Sequence, residues 1–259
     1  MTLHVIETAD LNNASPEGMH STSDHPLVLL AVFAHPDDET FRCGGTLALL
    51  ARAGVRVHLL TVTHGEQGSC GEPPLCRAED LPAVRERELR CACKALGIEA
   101  PRVWNYPDGG LNAVKPEQLT GDIFEVVREV EPQVILSFGP DGLSGHPDHI
   151  AVGRCAAAAF DRAGAVAALY TIAVPHSLAA HLGLERVRSV PDESISLAVD
   201  VSAVWEAKWN AMHCHATQAS SSPMLRASAE RQRAFFGVEH FVRAACRRPE
   251  QDILATMFT

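Results

Sequence analysis

The chain has 259 residues, of which 46% are hydrophobic and 21% charged, the make-up of a globular protein with enough apolar mass for a sizeable core. A formal net charge of −10 argues against a nucleic-acid binder or a protein held to acidic membrane surfaces, since both need positive fields. Aromatic residues are scarce at 5%, so the core is expected to be built mainly from Ala, Val and Leu.

Residues 1–25 have no basic start and no apolar h-region, which excludes a secretory signal; they are expected to form a polar, mobile leader, with a cytoplasmic location as the default. No apolar run reaches the length of a membrane span, and the longest, 26–34, is strand-sized. Residues 27–34 (LVLLAVFA) form a continuous apolar run, as expected for a strand buried on both faces. A helix is expected over Gly44–Arg52, stopped by Gly54, then a second strand over 55–63. A long Gly- and Pro-rich loop follows at 64–82, and a helix over 84–96 is closed by Gly97. The pattern continues with a strand at 103–106, a helix at 116–130, a strand at 133–138, an Ala-rich helix at 147–163 and a strand at 167–174. A strand at 196–201 and helices at 203–217 and 224–236 complete the expected elements. Such alternation predicts an α/β, Rossmann-like architecture: a mainly parallel sheet with helices on both faces, forming one domain over 26–259.

Eight cysteines in a long chain without an export signal do not by themselves indicate a disulfide scaffold. Cys43, Cys91, Cys93, Cys155 and Cys214 fall in helical patterns, where a thiol serves as a small hydrophobe. Cys70 and Cys76 flank GEPPL in the long loop and offer a local disulfide or a metal pair, although they lack CxxC spacing.

In a doubly wound sheet, ligands bind beyond the carboxyl ends of the strands. Two polar clusters stand at such ends: AHPDDE at 34–39 after the first strand, and SGHPDHI at 144–150 after the fourth. In the first, His35 and Asp38 are three residues apart, so one tight turn can aim both at a single point, and Asp37 is left beside them as a free carboxylate. In the second, His146 and His149 lie on the first turn of a helix begun by Pro147, so one can bind metal while the other faces a reacting carbonyl. Two His and one carboxylate leave room at a metal for water and substrate. A Zn²⁺ ion lowers the pKa of such a water to roughly 7, and a carboxylate base completes a hydrolytic set. Helix capping explains either cluster alone, but not two clusters meeting at adjacent strand ends. The same donor triad suits Fe(II) oxygenases, yet those favour all-β scaffolds and have no use for the extra Asp37.

At these residues the sequence resembles the LmbE-like (PIG-L) family of zinc-dependent N-acetylglucosaminide deacetylases. Softer similarities are Gly44-Gly45, GEQG at 65–68, RERELRCACKALGI at 85–98, YPDGGL at 106–111 and KWNAMHCHATQ at 208–218. The resemblance implies that His35, Asp38 and His149 hold Zn²⁺ (with Fe²⁺ as the alternative ion) and that Asp37 is the general base. It further implies that His146 stabilises the oxyanion and protonates the amine, with Asp148 orienting the His146 imidazole. Arg85, Asp108 and Glu66 match positions that touch sugar hydroxyls. Where some relatives carry a Tyr, this chain has Ser144, which leaves no Tyr for the oxyanion. His215 and His64 are expected to be packing or border residues, and Trp104, Trp205 and Trp209 core residues. The implied partner is a small-molecule N-acetylglucosaminide, and a homo-oligomer is allowed. The remaining alternatives are an amidase of thiol–sugar conjugates and a non-catalytic sugar- or metabolite-binding protein.

Overall fold

A computed structural model describes residues 26–258; the expected leader and the final residue lie outside the described residues. In chain order the elements are β1 (Val28–Phe33), α1 (Asp38–Phe41), α2 (Gly44–Arg52), β2 (Arg56–Thr63), α3 (Leu81–Leu96), β3 (Arg102–Tyr106), α4 (Pro116–Val130) and β4 (Val134–Phe138). They continue with α5 (Gly142–Gly145), α6 (Pro147–Arg162), β5 (Ala168–Ala173), α7 (His176–Leu182) and β6 (Leu197–Asp200). The chain then forms α8 (Trp205–Cys214), α9 (Ala216–Ala219), α10 (Ala229–Phe236), β7 (Val238–Cys246) and α11 (Ile253–Phe258). Among the described residues no helix is long and apolar enough to cross a membrane.

The strands form one sheet in the order β3-β2-β1-β4-β5-β7-β6. β1 pairs in parallel with both β2 and β4, and β2–β3 and β4–β5 are parallel as well. The apolar runs of β1, β4 and β5 are buried along their whole length, as a strand covered on both faces requires. Chain direction across the sheet reverses between β3 and β4. Helices α2, α3 and α8 therefore pack together on one side while α4 and α6 pack together on the other. The β1/β4 junction is the topological switch point, where the diverging loops open a crevice.

The C-terminal third departs from the sequence expectation. β7 was not expected as a strand, yet it inserts antiparallel between β5 and β6. Its inward positions are Glu239 and Phe241, both buried, so the alternation begins with a charge and does not read as an apolar face. The helix expected over 203–217 breaks at His215, whose backbone (φ −79°, ψ 54°) separates α8 from α9. The helix expected from 224 starts only at Ala229, where the Ser228 side chain accepts from Arg231 N–H at 3.3 Å.

The cysteines also differ from expectation. Cys91 on α3 and Cys214 at the end of α8 form a disulfide, joining positions 123 residues apart. Cys70 and Cys76 are free thiols. The pairing was invisible because helical periodicity says nothing of which two helices become neighbours.

Candidate active site

The turn after β1 holds Asp37 at φ 115°, a left-handed conformation unusual for a residue with a side chain and a form of strain found at functional sites. Two contacts hold it there. Asp37 N–H donates to Glu39 Oε2 at 2.9 Å, and the Arg85 guanidinium reaches both the Pro36 carbonyl and Asp37 Oδ2. The result aims Asp38 back at His35, whose backbone N–H donates to Asp38 Oδ2 at 2.8 Å.

His35 Nδ1 and His149 Nε2 lie 3.1 Å apart, and the Asp38 carboxylate faces both, with Oδ1 3.3 Å from His149 Nε2 and Oδ2 3.5 Å from His35 Nδ1. Tetrahedral Zn²⁺ with ligands about 2.0–2.1 Å away would separate its donor atoms by about 3.3–3.4 Å, so the set fits such an ion. The outer ring nitrogens agree. His149 Nδ1 lies 3.0 Å from the Gly142 carbonyl, which must accept its proton, so Nε2 faces the set as a lone pair. His35 Nε2 lies 3.0 Å from Asp108 and 3.3 Å from Asp148, again leaving Nδ1 free to face inward. Burial alone would lower the His35 pKa, but Asp108, Asp148 and Asp38 push it up to about 12. Burial would raise the Asp38 pKa, yet the His149 and His35 imidazoles hold it well below the usual carboxylate range. Three carboxylates converging on His35, one of them also facing His149, favour a positive charge among them, which a proton or a metal cation can supply.

His146 completes a ring of three imidazoles, its centroid 4.9 Å from that of His35 and 4.8 Å from that of His149. The three His present ring nitrogens that all lie within 4.8 Å of one another, as do the donor atoms of His35, Asp108 and Asp148. His146 caps α6, its Nδ1 accepting from Asp148 N–H at 3.2 Å, so the ring proton sits on Nε2. Burial and the neighbouring His35 and His149 lower its pKa. Asp148 thus meets His146 only through its backbone. Its carboxylate takes Gly109 N–H at 2.6 Å, Leu111 N–H at 3.1 Å and His35, so the imidazole it orients is that of His35 rather than His146.

Asp37 carries no bond to the imidazoles. Burial pushes its pKa up to about 6, with Arg85 pulling it down and Asp38 pushing it up. Arg85, expected at a sugar hydroxyl, is 3% exposed, and its donors go to Asp37 and to the carbonyls of Pro36 and Gly65. The GEQG glycines make room for it, since a Cβ at Gly65 would lie 2.0 Å from the guanidinium. Glu66 accepts from Asp108 N–H at 2.9 Å, and Asp108 accepts from Gln67 N–H at 2.7 Å. These two residues lock their loops together beside His35. His64 turns outward to Asn105 at 2.8 Å.

A profile of the PIG-L family, described as GlcNAc-PI de-N-acetylase, matches residues 30–160. The chain belongs to this family. A similar relative is the 1D-myo-inositol 2-acetamido-2-deoxy-alpha-D-glucopyranoside deacetylase of Acidothermus cellulolyticus, 34% identical over 83% of this chain and 87% of the relative. Among solved structures, a conserved protein of Thermus thermophilus is 25% identical, with a TM-score of 0.63 over 85% of this chain and 96% of that one. The 4-carboxy-2-hydroxymuconate hydratase of Pseudomonas putida shares the fold at 20% identity, with a TM-score of 0.63 over 85% of this chain and 97% of that one. One fold therefore hosts different reactions, and the chemistry must be argued from the site.

Two de-N-acetylase site residues escaped the sequence reading. Glu39 is fully buried and accepts the Asp37 N–H while its Oε1 meets His215 Nε2 at 2.8 Å. His215 is also fully buried; burial would lower its pKa, but Glu39 raises it, so the pair carries a proton beneath the Asp37 turn. The local signal for Glu39 was the last letter of AHPDDE. For His215 the local signal was its place in KWNAMHCHATQ, but its partner lies 176 residues away and is not legible there.

Proposed function

We propose that this de-N-acetylase is a Zn²⁺ enzyme that hydrolyses the N-acetyl group of an N-acetylglucosamine-containing small molecule. The observation that carries this reading is the His35–Asp38–His149 triangle, spaced for a tetrahedral ion, with Asp37 beside it and free of it. The family match supports the reaction class, and the deacetylases among the relatives support the sugar.

His35, Asp38 and His149 would hold the ion, which supplies Lewis acidity toward the amide carbonyl and brings the pKa of water down to roughly 7. Asp37 takes the proton of the attacking water; its Oδ2 is steadied by Arg85 at 3.1 Å. His146, whose Nδ1 accepts from Asp148 N–H, offers its Nε2–H to the oxyanion. Asp37 then returns the proton to the amide nitrogen, the C–N bond breaks, and acetic acid and a free amine leave. This gives the amine proton to Asp37 rather than to His146. Asp108 and Glu66 border the space beside His35, where sugar hydroxyls would lie.

The test is release of primary amine from a panel of N-acetylglucosaminides by metal-loaded protein and by chelator-stripped protein. Release that vanishes with the metal and returns with Zn²⁺ supports the proposal. Release restored by Fe²⁺ but not by Zn²⁺ would overturn the choice of ion. No release from any member, with metal bound, would overturn the substrate class.

A further inference from the structure

Asp37 does not face only the imidazole cluster. It also lines a second cavity, of about 350 Å³, whose other walls are largely apolar: Phe41, Leu143, Val187, Met224 and Phe235. These five side chains are only half-buried, so the cavity leaves apolar surface open beside the base. The polar groups around it are mostly committed elsewhere. Gln218 donates to Ser69 O and Thr217 Oγ1, each at 2.8 Å, and Arg42 binds the carbonyls of Phe235 and Ala173 while stacking 4.6 Å above the Phe235 ring. Among the described residues, Arg42 Nε is left without a partner.

The wall formed by Leu143 carries a second observation. Leu143 holds φ 63° and ψ −35°, a conformation that Gly adopts more cheaply than a residue with a side chain. The loop is pinned there: Leu143 N–H donates to Asp141 Oδ1 at 2.8 Å and Arg188 N–H donates to the Leu143 carbonyl at 2.7 Å. A bulky apolar side chain kept at a strained position, facing a cavity shared with the base, points to the side chain itself as the reason.

We infer that this cavity is a subsite for an apolar substituent of the amino-sugar substrate. Because Asp37 lines the cavity and also stands beside the imidazole cluster, a substituent of a substrate whose amide lies at Asp37 can reach into it. Sugar hydroxyls find few free partners there, whereas an alkyl chain or a ring gains from desolvation. A cavity of about 150 Å³ holds benzene, so this one takes an aromatic ring or a chain of several carbons. The substituent sits either on the aglycone or on the acyl carbon, and the two share the same chemistry.

The inference rests on the deacetylase reading, and the experiment separates their failures. Metal-loaded enzyme is given two series: alkyl N-acetylglucosaminides with aglycones from methyl to hexyl, and methyl glucosaminides with N-acyl chains from acetyl to hexanoyl. In one series kcat/KM should rise about two- to fourfold per methylene until the cavity is filled, which also names the end of the substrate that enters it. Met224→Trp, which fills the cavity, should flatten that series. Leu143→Gly, which suits the backbone there and removes the wall, should flatten it too and serves if the first variant does not fold. Turnover of the methyl glycoside with no rise in either series would overturn the subsite alone. An undiminished rise in both variants would overturn its location. No amine from any member would remove both readings.

Discussion

Around β1 and β4 the charged and imidazole groups stand beyond the strand ends and keep bonding capacity in reserve. Between α8 and β7 the Lys208–Glu239 pair is sealed inside and uses it up. Asp37 has one side-chain partner, Arg85, and His35, Asp38 and His149 point lone pairs at a common space. Lys208 and Glu239, both fully buried, are consumed by each other and their neighbours. Glu239 takes Gly45 N–H at 2.9 Å and Thr46 N–H at 2.7 Å, capping α2, while Lys208 donates to Glu239 at 2.7 Å and to the Phe236 carbonyl at 2.6 Å. Gly45 is required for this approach, because a Cβ would lie 2.4 Å from Val201. A buried charge with capacity left over marks chemistry; one fully satisfied marks architecture.

Three substitutions would break or sharpen that contrast. Asp37→Ala should lower kcat by about 10²–10⁴-fold while the protein keeps its metal. Metal analysis decides the point, since loss of the ion would mean that Asp37 and Asp38 exchange roles. Lys208→Met leaves Glu239 buried beside amides but without its ion-pair partner, and should cost about 3–5 kcal/mol of stability in denaturant titrations. If kcat per folded molecule also falls steeply, the architectural assignment fails. His215→Gln should have the smallest effect, lowering kcat by about 10–100-fold with KM and metal content retained, because it acts through Glu39 on the Asp37 turn. A loss of stability with kcat unchanged would place His215 with Lys208 instead.

Legibility in the sequence followed the range of the interaction. The parallel half could be read because its central strands β1, β4 and β5 are buried on both faces and helices such as α3 close on a local stop, here Gly97 at φ 74°. The AHPDDE and HPDH clusters could be read because three-residue spacing brings side chains together within a single turn. Arg85 could be found but not placed: its position on α3 is legible, its burial beneath Pro36 is not. The Cys91–Cys214 bond, the Lys208–Glu239 pair and the break at His215 each join segments distant in the chain.

By itself the sequence determined the strand–helix alternation, the place of the two polar clusters at strand ends, and the residue types needed for metal-assisted hydrolysis. These depend on backbone periodicity and on spacings of a few residues, which the chain carries locally. Only the tertiary structure decided that Asp148 serves His35, that Glu39 and His215 brace the Asp37 turn, and that an apolar cavity opens behind Asp37. Those are meetings between segments that the folded sheet brings together, and no local pattern specifies which distant partner a buried polar group will find.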